Sequence, residues 1–169
     1  NLDLEALSAA KVVAMNTPGQ NSNAVAELAL GLMVFMHRHQ FTPGTGLELK
    51  GKTIGIQAYG NVGRLVGKLA MGFGMNVLAF DPYLKDEQIE ATGAKVAASL
   101  EDLYSKSDFI SLHIPATAET KGSIGYNLVS KMPKKGCLIN TARKEVINEE
   151  ELIKVLEERD DLRYVTDIA

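Results

Sequence analysis

The chain has 169 residues, of which 46% are hydrophobic and 23% are charged, and its formal net charge at pH 7 is −3. This composition is typical of one folded domain with a sizeable core, and it excludes a disordered chain or one built mainly of membrane spans. The acidic balance and the lack of a basic block argue against nucleic acid as the main partner. The longest apolar tract, at residues 24–36, is interrupted by Glu27 and is too short to span a bilayer.

The single cysteine and the first residue bear on where the protein works. Cys137 has no partner for an internal disulfide and lies in an apolar strand pattern, so we expect a small core residue rather than a nucleophile. No signal peptide is visible, which favours the cytoplasm. Asn1 resembles a start within a longer protein, so an upstream signal is also compatible with the sequence.

Apolar runs and helical periodicity alternate along the chain. A short strand is expected at residues 11–17, an apolar helix from 24 to about 37, and a connector rich in Gly, Thr and Pro at 41–50. Further strands are expected at residues 53–58, 75–80, 95–98, 108–114, 136–142 and 162–168. Helices are expected after Gly60, at 85–92, after Ser99 and at 149–159, and the pairs Ser99 with Asp102 and Asn148 with Glu151 have capping-box spacing.

Strand–helix repeats with continuous apolar strands predict an α/β fold, a doubly wound parallel sheet of the Rossmann type with helices on both faces. Ligands of such sheets bind beyond the carboxyl ends of the strands, where the strand order reverses. That rule selects Asp81, residues 113–115, residues 141–143 and Asp167 as candidates for a site.

Residues 53–70, TIGIQAYGNVGRLVGKLA, have the pattern of a strand, a glycine turn and the start of a helix. Free N–H groups and the positive dipole end at such a helix start favour an anion, most often a phosphate. We expect Gly60 to let a dinucleotide pyrophosphate approach the backbone, and Gly63 to let helix and strand pack closely. Ala58 replaces the first glycine of G-x-G-x-x-G, and we expect it to make the turn only with a negative φ. By itself the motif is equally compatible with an ordinary strand-to-helix turn.

Asp81 ends the next apolar run, about 20 residues after Gly60, which is the spacing of the acidic residue in a dinucleotide-binding fingerprint. A carboxylate there accepts the hydroxyls of the adenosine ribose and repels a 2′-phosphate, so the sequence predicts NAD rather than NADP. The alternative is a turn residue, since Asp-Pro opens turns readily.

Four blocks of the sequence resemble the NAD-binding domain of the D-isomer-specific 2-hydroxyacid dehydrogenases, most closely the phosphoglycerate dehydrogenase branch. The blocks are NTPGQNSNAVAELALGLM, GKTIGIQAYGNVGRLVGKLAMGFGMNVLAFDP, SDFISLHIPATAETKGSI and LINTARKEVINEEEL. They occur in the family's order and cover nearly the whole chain. Ala58 and Lys144 stand where the family usually has glycine, and the connector after His39 is shorter than in many members.

The resemblance implies a set of cofactor contacts. Gly60, Asn61, Val62 and Gly63 are expected at the pyrophosphate, Asp81 at the adenosine ribose, His113, Ile114 and Pro115 on the adenine side, and Thr17, Thr141, Ala142, Arg143 and Asp167 towards the nicotinamide. For Thr17, a hydroxyl that only stabilises its own loop is an equal alternative. No metal ligand is implied.

Arg143 is the candidate catalytic residue. Hydride delivery to a 2-oxo acid builds negative charge on a carbonyl oxygen next to a carboxylate, and a planar guanidinium grips the carboxylate and polarises that oxygen. The alternative is a solvated arginine in a loop. We expect His37 and His39 to be solvated or at an interface and His113 to be structural, and the family's acid–base histidine and its glutamate partner lie outside this chain.

The resemblance further implies that residues 1–169 are one NAD-binding domain, with the substrate domain missing and residues 18–50 forming an interdomain or dimer helix and its connector. The expected activity is the NAD-dependent interconversion of 3-phosphoglycerate and 3-phosphohydroxypyruvate in serine biosynthesis, with this fragment alone inactive. The expected partners are a small 2-hydroxy or 2-oxo acid and, because residues 24–36 are rich in aliphatic side chains, a second copy in a homodimer or higher homo-oligomer, but neither nucleic acid nor membrane.

Three alternatives remain open at this stage. One is another 2-hydroxyacid dehydrogenase, such as a glyoxylate or hydroxypyruvate reductase or a D-lactate dehydrogenase. Another is an NAD-sensing interaction protein of the corepressor kind, although no basic, DNA-directed surface is evident. A third is a methyltransferase-like domain, which also has a glycine loop and an acidic strand end but does not account for the block TARKEVI.

Overall fold

A computed structural model describes residues 2–168 of the chain. Six strands form one sheet in the order β3-β2-β1-β4-β5-β6, and every neighbouring pair is parallel. The strands are β1 Thr53–Gln57, β2 Asn76–Phe80, β3 Lys95–Val96, β4 Phe109–Leu112, β5 Cys137–Asn140 and β6 Arg163–Thr166. The order reverses between β1 and β4, which confirms the doubly wound α/β fold and places its switch point at the carboxyl ends of these two strands.

Seven α-helices and two short 3₁₀ turns connect or flank the strands in the described part of the chain. The helices are α1 Leu4–Ala9, α2 Ser22–His37, α3 Asn61–Gly72, α4 Asp86–Glu90, α5 Leu100–Ser105, α6 Tyr126–Val129 and α7 Glu149–Glu158, and the 3₁₀ turns are His39–Phe41 and Lys144–Val146. None of the helices within residues 2–168 combines the length and the apolar character needed to cross a membrane.

Two apolar layers cover the two faces of the sheet because alternate strand residues point to opposite sides. Ile54 and Ile56 of β1 pack with α2 and α3 on one face. Ile110 and Leu112 of β4 pack with α5 and α7 on the other. Burial on both faces explains why the strands read as continuous apolar runs.

The expected strand at residues 11–17 does not form. Residues 12–17 have no regular structure, and the side chains of Val13 and Met15 are 81% and 87% exposed. A strand needs a neighbour to receive its backbone hydrogen bonds. Within residues 2–168, all six strands pair with one another and none pairs with residues 11–17.

Helix starts follow the predicted capping residues, but neither expected capping box closes. The Asp102 carboxylate accepts from the amide of Ala98 rather than from that of Ser99. The Ser99 side chain accepts from the amide of Asp102, and Asn148 accepts from the amide of Glu151. Glu151 does not return the bond expected of a capping box, because its carboxylate accepts from the amide of Tyr126 while the Asn148 amide donates to Ile124 O. Glu151 therefore joins α7 to α6 rather than completing its own cap.

The apolar face of α2 packs inside this chain. Ala26, Ala29, Leu30 and Met33 are buried against α3 and the sheet, whereas Leu28 is 39% exposed. Most of the aliphatic side chains that suggested a subunit contact are therefore used by the chain's own core, and α2 alone is weaker support for an oligomer than its sequence suggested.

Ala58 adopts a backbone conformation that the sequence analysis excluded. Its φ is +70°, in the left-handed region, rather than negative. The turn from β1 into α3 demands this conformation whichever residue occupies it, because the chain must reverse within the two residues between Gln57 and Gly60. A residue with a Cβ is less stable there than glycine by about 1 kcal/mol.

Ala58→Gly should therefore stabilise the fold. We expect the free energy of unfolding, measured by urea denaturation, to rise by about 1 kcal/mol because the strain disappears. Ala91→Gly is the matched control, since Ala91 is exposed and has a φ of −59°. That control should leave stability unchanged or lower it; a loss of stability in Ala58→Gly as well would contradict the strain.

Candidate functional site

Two clefts lie side by side along the carboxyl edge of the sheet. We call them the Asp81 cleft and the Arg143 cleft, and their volumes are about 450 and 440 Å³. Both are lined by His113, Ile114 and Pro115, which follow β4. Because these three residues line both, the two clefts adjoin at the switch point. We call the adjoining clefts together the groove.

The Asp81 cleft joins residues from the ends of β1, β2 and β4. Besides the shared wall, it is lined by Gln57, Ala58, Gly60, Phe80, Asp81, Pro82, Tyr83, Leu100, Thr117, Glu119, Thr120 and Ser123. The Arg143 cleft joins α2 and α3 to the loop after β5, and its other lining residues are Asn21, Val25, Val62, Ala116, Thr141, Ala142 and Arg143.

Gly60 and Gly63, the two glycines of the fingerprint, lack a side chain for different structural reasons. A Cβ at Gly63 would collide with the carbonyl oxygen of Ala58, so glycine is required for α3 to approach β1. A Cβ at Gly60 would meet no atom of the chain within 4 Å. The space over Gly60 is thus left open beside the start of α3, where first-turn amides lack intrahelical acceptors.

Asp81 fixes the shape of the glycine turn. One carboxylate oxygen accepts from the amide of Tyr59 at 2.8 Å and the other accepts from the amide of Tyr83 at 2.9 Å. The second bond, to the amide two residues later, is typical of a turn residue, which was the alternative interpretation of Asp81 from the sequence. Since each oxygen accepts more than one hydrogen bond, the carboxylate keeps acceptor capacity for a ligand in the cleft.

His113 is neutral at pH 7. Burial lowers the pKa of its imidazole to about 4, and its Nε2 lies 2.9 Å from Ser111 Oγ. A neutral ring in the wall shared by both clefts adds no charge to the groove, which agrees with the structural role expected from the sequence.

Arg143 lies at the open end of the second cleft. Its guanidinium is exposed, and Nη1 donates to the carbonyl oxygen of Ala142 at 2.7 Å. Asn140, which is fully buried, stabilises the loop by two hydrogen bonds. Its Nδ2 donates to Arg143 O at 3.0 Å, and its Oδ1 accepts from the amide of Ala142 at 3.0 Å. Asn140 was not among the residues predicted from the sequence, although a polar residue at the end of an apolar strand was the available signal.

Thr141 carries an unsatisfied group. Its Oγ1 is fully buried and has no hydrogen-bond partner, and it is the one side-chain atom within residues 2–168 for which this holds. Buried polar atoms are normally paired, so an unpaired hydroxyl in a cleft wall indicates that the partner comes from outside the chain.

The structure places some predicted residues away from the clefts. Thr17 and Asp167 are exposed and line neither cleft, and the same holds for Asn61, whereas Gly63 is buried beneath the turn. Asn21 and Val25, which the start of α2 brings to the Arg143 cleft, were not predicted as site residues. Nothing in the loop NTPGQNSN separated them from ordinary loop residues.

His37 and Cys137 lie away from the groove. His37 is partly buried rather than solvated, with its ring centroid 4.5 Å from that of Phe109, and this burial lowers the pKa of its imidazole. Cys137 is 1% exposed, and burial raises the pKa of its thiol to about 12. This confirms the expectation that Cys137 is a core residue.

Residues 26–169 match the family described as "D-isomer specific 2-hydroxyacid dehydrogenase, NAD binding domain". The chain belongs to this family. The expectation drawn from the four sequence blocks is thereby confirmed.

Several relatives share the chain's sequence or fold. It is 35% identical over 171 residues to the D-3-phosphoglycerate dehydrogenase of Methanocaldococcus jannaschii, covering 94% of this chain and 33% of that protein. It is 36% identical over 165 residues to the hydroxypyruvate reductase of Thermotoga maritima, covering 90% of this chain and 53% of that protein. A solved structure of NAD+-bound 3-phosphoglycerate dehydrogenase from Entamoeba histolytica aligns with a TM-score of 0.88 and 48% identity, over 99% of this chain and 53% of that chain. The chain thus spans a third to a half of the length of these relatives.

The residues of this NAD-binding domain fit the family's cofactor on two independent observations. The open space over Gly60 accepts a group that a side chain would exclude, next to free amides that suit a pyrophosphate. The unpaired hydroxyl of Thr141 lies in the other cleft. Both are properties of this chain's own groove.

The pKa of His113 predicts a pH dependence of stability in the NAD-binding domain. In the unfolded chain the pKa of His113 is the ordinary value near 6.5, whereas in the folded chain it is about 4. Between these two pH values the unfolded chain binds a proton at His113 and the folded chain does not. Stability should fall with pH in this window, and between pH 7 and pH 5 wild type should lose about 2 kcal/mol more than His113→Gln. Urea denaturation at both pH values measures the difference. His39→Gln, which changes an exposed histidine outside the groove, should follow wild type; equal losses in all three proteins would contradict a buried neutral His113.

Proposed function

We propose that the chain is the NAD-binding part of an enzyme that interconverts a D-2-hydroxy acid and its 2-oxo acid, with 3-phosphoglycerate and 3-phosphohydroxypyruvate as the substrate pair. The observation that carries the proposal is the single groove with Asp81 at one end and Arg143 at the other. The substrate assignment is supported by the 48% identity to the Entamoeba histolytica enzyme.

The groove suits one extended orientation of NAD. The adenosine end belongs in the Asp81 cleft, where the carboxylate meets the ribose hydroxyls. The pyrophosphate belongs over Gly60 at the start of α3, beside Asn61 and Val62. The nicotinamide end then belongs in the Arg143 cleft, beside Thr141 and Ala142, with Thr17 and Asp167 approaching only if their exposed segments move.

Arg143 acts on the substrate. The bound cofactor supplies or accepts a hydride at the carbon that carries the oxygen. The guanidinium holds the substrate carboxylate by two donors and polarises the neighbouring oxygen, on which negative charge develops. Asn140 keeps the Arg143 backbone in place for this role. His113 lines the groove, but its lowered pKa leaves it neutral at pH 7 and a poor proton donor. We therefore expect the acid that protonates the alkoxide to come from outside this chain, and the chain alone to be inactive.

Other substrates of the same reaction class are the second candidate. The chain is also similar to the hydroxypyruvate reductase of Thermotoga maritima and to a Salmonella D-lactate dehydrogenase, with which it is 29% identical over 98% of its length. The common groove carries the hydride chemistry in each case, and the choice of acid depends on pocket residues outside this chain. An NAD-sensing interaction protein is less well supported, because Arg143 at the cleft favours chemistry and the sequence has no basic, DNA-directed surface.

We place the enzyme in the cytoplasm as a homodimer that uses residues 18–50. The apolar side chains of Phe41, Leu47 and Phe73 are 66%, 48% and 48% exposed. Phe41 packs edge-on against Phe35 of α2, and Phe73 lines one cleft with Leu47 of the connector. A second copy with the same patch buries these side chains by two-fold symmetry.

The choice of NAD over NADP should depend on the charge of Asp81. Asp81→Asn keeps an oxygen for the amide of Tyr59 but removes the charge that repels a 2′-phosphate. We expect the ratio of the NADPH to the NADH dissociation constant, measured by calorimetric titration, to fall about tenfold. Asp86→Asn makes the same change at an exposed site outside the groove and should leave the ratio unchanged. An unaltered ratio in Asp81→Asn would remove Asp81 from cofactor selection.

Arg143→Lys tests the catalytic role in the longer protein. A point charge on a flexible stem does not reproduce the two fixed donors, so kcat/KM for 3-phosphohydroxypyruvate should fall about 100- to 1,000-fold while NADH affinity changes less than about threefold. Lys144→Ala, next to it in the same loop, should keep near wild-type kcat/KM. A loss of less than about threefold in Arg143→Lys would contradict the proposal.

A further inference from the structure

Gln57 is an unusual residue for its position. It ends β1, is only 6% exposed, and follows buried Ile54, Gly55 and Ile56 in the strand. A buried primary amide costs free energy unless its oxygen and its N–H groups find partners. The oxygen and the N–H groups of the Gln57 amide should therefore each have a partner, either in the protein or in a ligand.

The oxygen of the amide is bonded to Tyr104. The Tyr104 hydroxyl donates to Gln57 Oε1 at 2.9 Å, and Tyr104 is fully buried on α5. Burial raises the pKa of Tyr104 well above its ordinary value, so the hydroxyl keeps its proton and remains a donor. In this bond the carbonyl end of the Gln57 amide meets Tyr104, which leaves the NH2 end free to bond elsewhere.

The nitrogen of the amide faces the Asp81 cleft. Gln57 Nε2 has no protein acceptor in the described part of the chain. The one side-chain atom there that is both fully buried and unpaired is Thr141 Oγ1, so Nε2 itself is not fully buried. Nε2 is therefore in contact with open space, and the cleft that Gln57 lines is the Asp81 cleft. The amide, held by Tyr104 through its oxygen, therefore has an unpaired donor for a ligand in this cleft.

The surroundings of this donor select the kind of ligand atom that meets it. Ala58, Phe80, Leu100 and Ile114 line this cleft and belong to the apolar layer that contains Tyr104, whereas the polar lining residues Thr117, Glu119, Thr120 and Ser123 lie outside that layer. An apolar slot with one outward N–H suits a flat aromatic ring that carries an acceptor nitrogen in its plane. The adenine ring has three such nitrogens, whereas the ribose is matched by the carboxylate of Asp81, which accepts rather than donates.

We propose that Gln57 recognises the adenine ring by donating an Nε2–H hydrogen bond to a ring nitrogen, and that Tyr104 is the positioning residue that orients the amide for this. The inference rests on the proposed binding of the adenosine end in the Asp81 cleft. It assigns a specificity role to a residue that lies before the glycine turn and has no part in the fingerprint.

The test compares ligands with and without adenine by calorimetric titration of the chain. In Gln57→Met, which keeps the length and removes the donor, we expect the affinities for NADH and for ADP-ribose to fall equally, by about 3- to 10-fold. The affinity for reduced nicotinamide mononucleotide, which lacks the adenine, should not change. Ser107→Ala is the control, since it removes another buried hydroxyl bond near α5, to Leu103 O, away from the groove.

Tyr104 is tested by a double-mutant cycle. Tyr104→Phe should weaken NADH binding about threefold in the wild-type background and have no effect in the Gln57→Met background, because it acts through Gln57 alone. In ¹⁵N-resolved NMR spectra of wild type, the side-chain amide signals that disappear in Gln57→Met should shift when ADP-ribose is added. The shift itself is read in the wild-type protein, and Gln57→Met serves only to assign the signal.

The outcomes separate the inference from the proposed function. If wild type binds NADH and Gln57→Met binds it equally well, or loses affinity for all three ligands alike, the role of Gln57 is overturned while cofactor binding stands. If wild type binds neither NADH nor ADP-ribose at millimolar concentration, the proposed function fails for this chain and the inference fails with it. Equal effects of Tyr104→Phe in both backgrounds would overturn its positioning role.

Discussion

The close approach of α3 to the end of β1 is the contact on which the rest of the site depends. It requires Gly63, because any Cβ there would strike the Ala58 carbonyl, and it requires Ala58 to take a left-handed conformation. Together these two constraints aim the start of α3 at the carboxyl edge of the sheet and leave the space over Gly60 empty. The anion site is thus a product of backbone geometry, and the strain at Ala58 is offset by the packing of α3 on α2 and the sheet.

Polar side chains, buried or partly buried, then fix the loops around this contact. Asp81 holds the glycine turn, Asn140 holds the loop that carries Arg143, and Tyr104 holds the amide of Gln57. Each is anchored to a strand end or a packed helix, so the groups that face the groove are oriented before a ligand arrives. Such preorganisation lowers the entropy that binding must overcome.

The sequence predicted the fold well because burial on both faces of a parallel sheet makes every strand a continuous apolar run. It failed at residues 11–17, where an apolar run has no neighbouring strand, and periodicity cannot report a missing partner. For Ala58, residue preference gave the wrong sign of φ because the tertiary contact of α3 outweighs a penalty of about 1 kcal/mol. Asp81, the 113–115 wall and Arg143 were found because strand ends are recognisable in sequence. The position of Asn21 and the hydrogen bonds of Gln57 and Asn140 were not predicted, because they depend on which side chains meet across separate elements.

The central claim is that the Asp81 and Arg143 clefts form one groove for one dinucleotide. The most direct measurement is an NMR titration of the chain with NADH, following the backbone amides of Gly60, Ile114 and Ala142. The account predicts that all three signals shift along a single saturation curve, since one ligand contacts the glycine turn, the shared wall and the loop after β5. Shifts confined to one cleft, or different midpoints for the two, would contradict it.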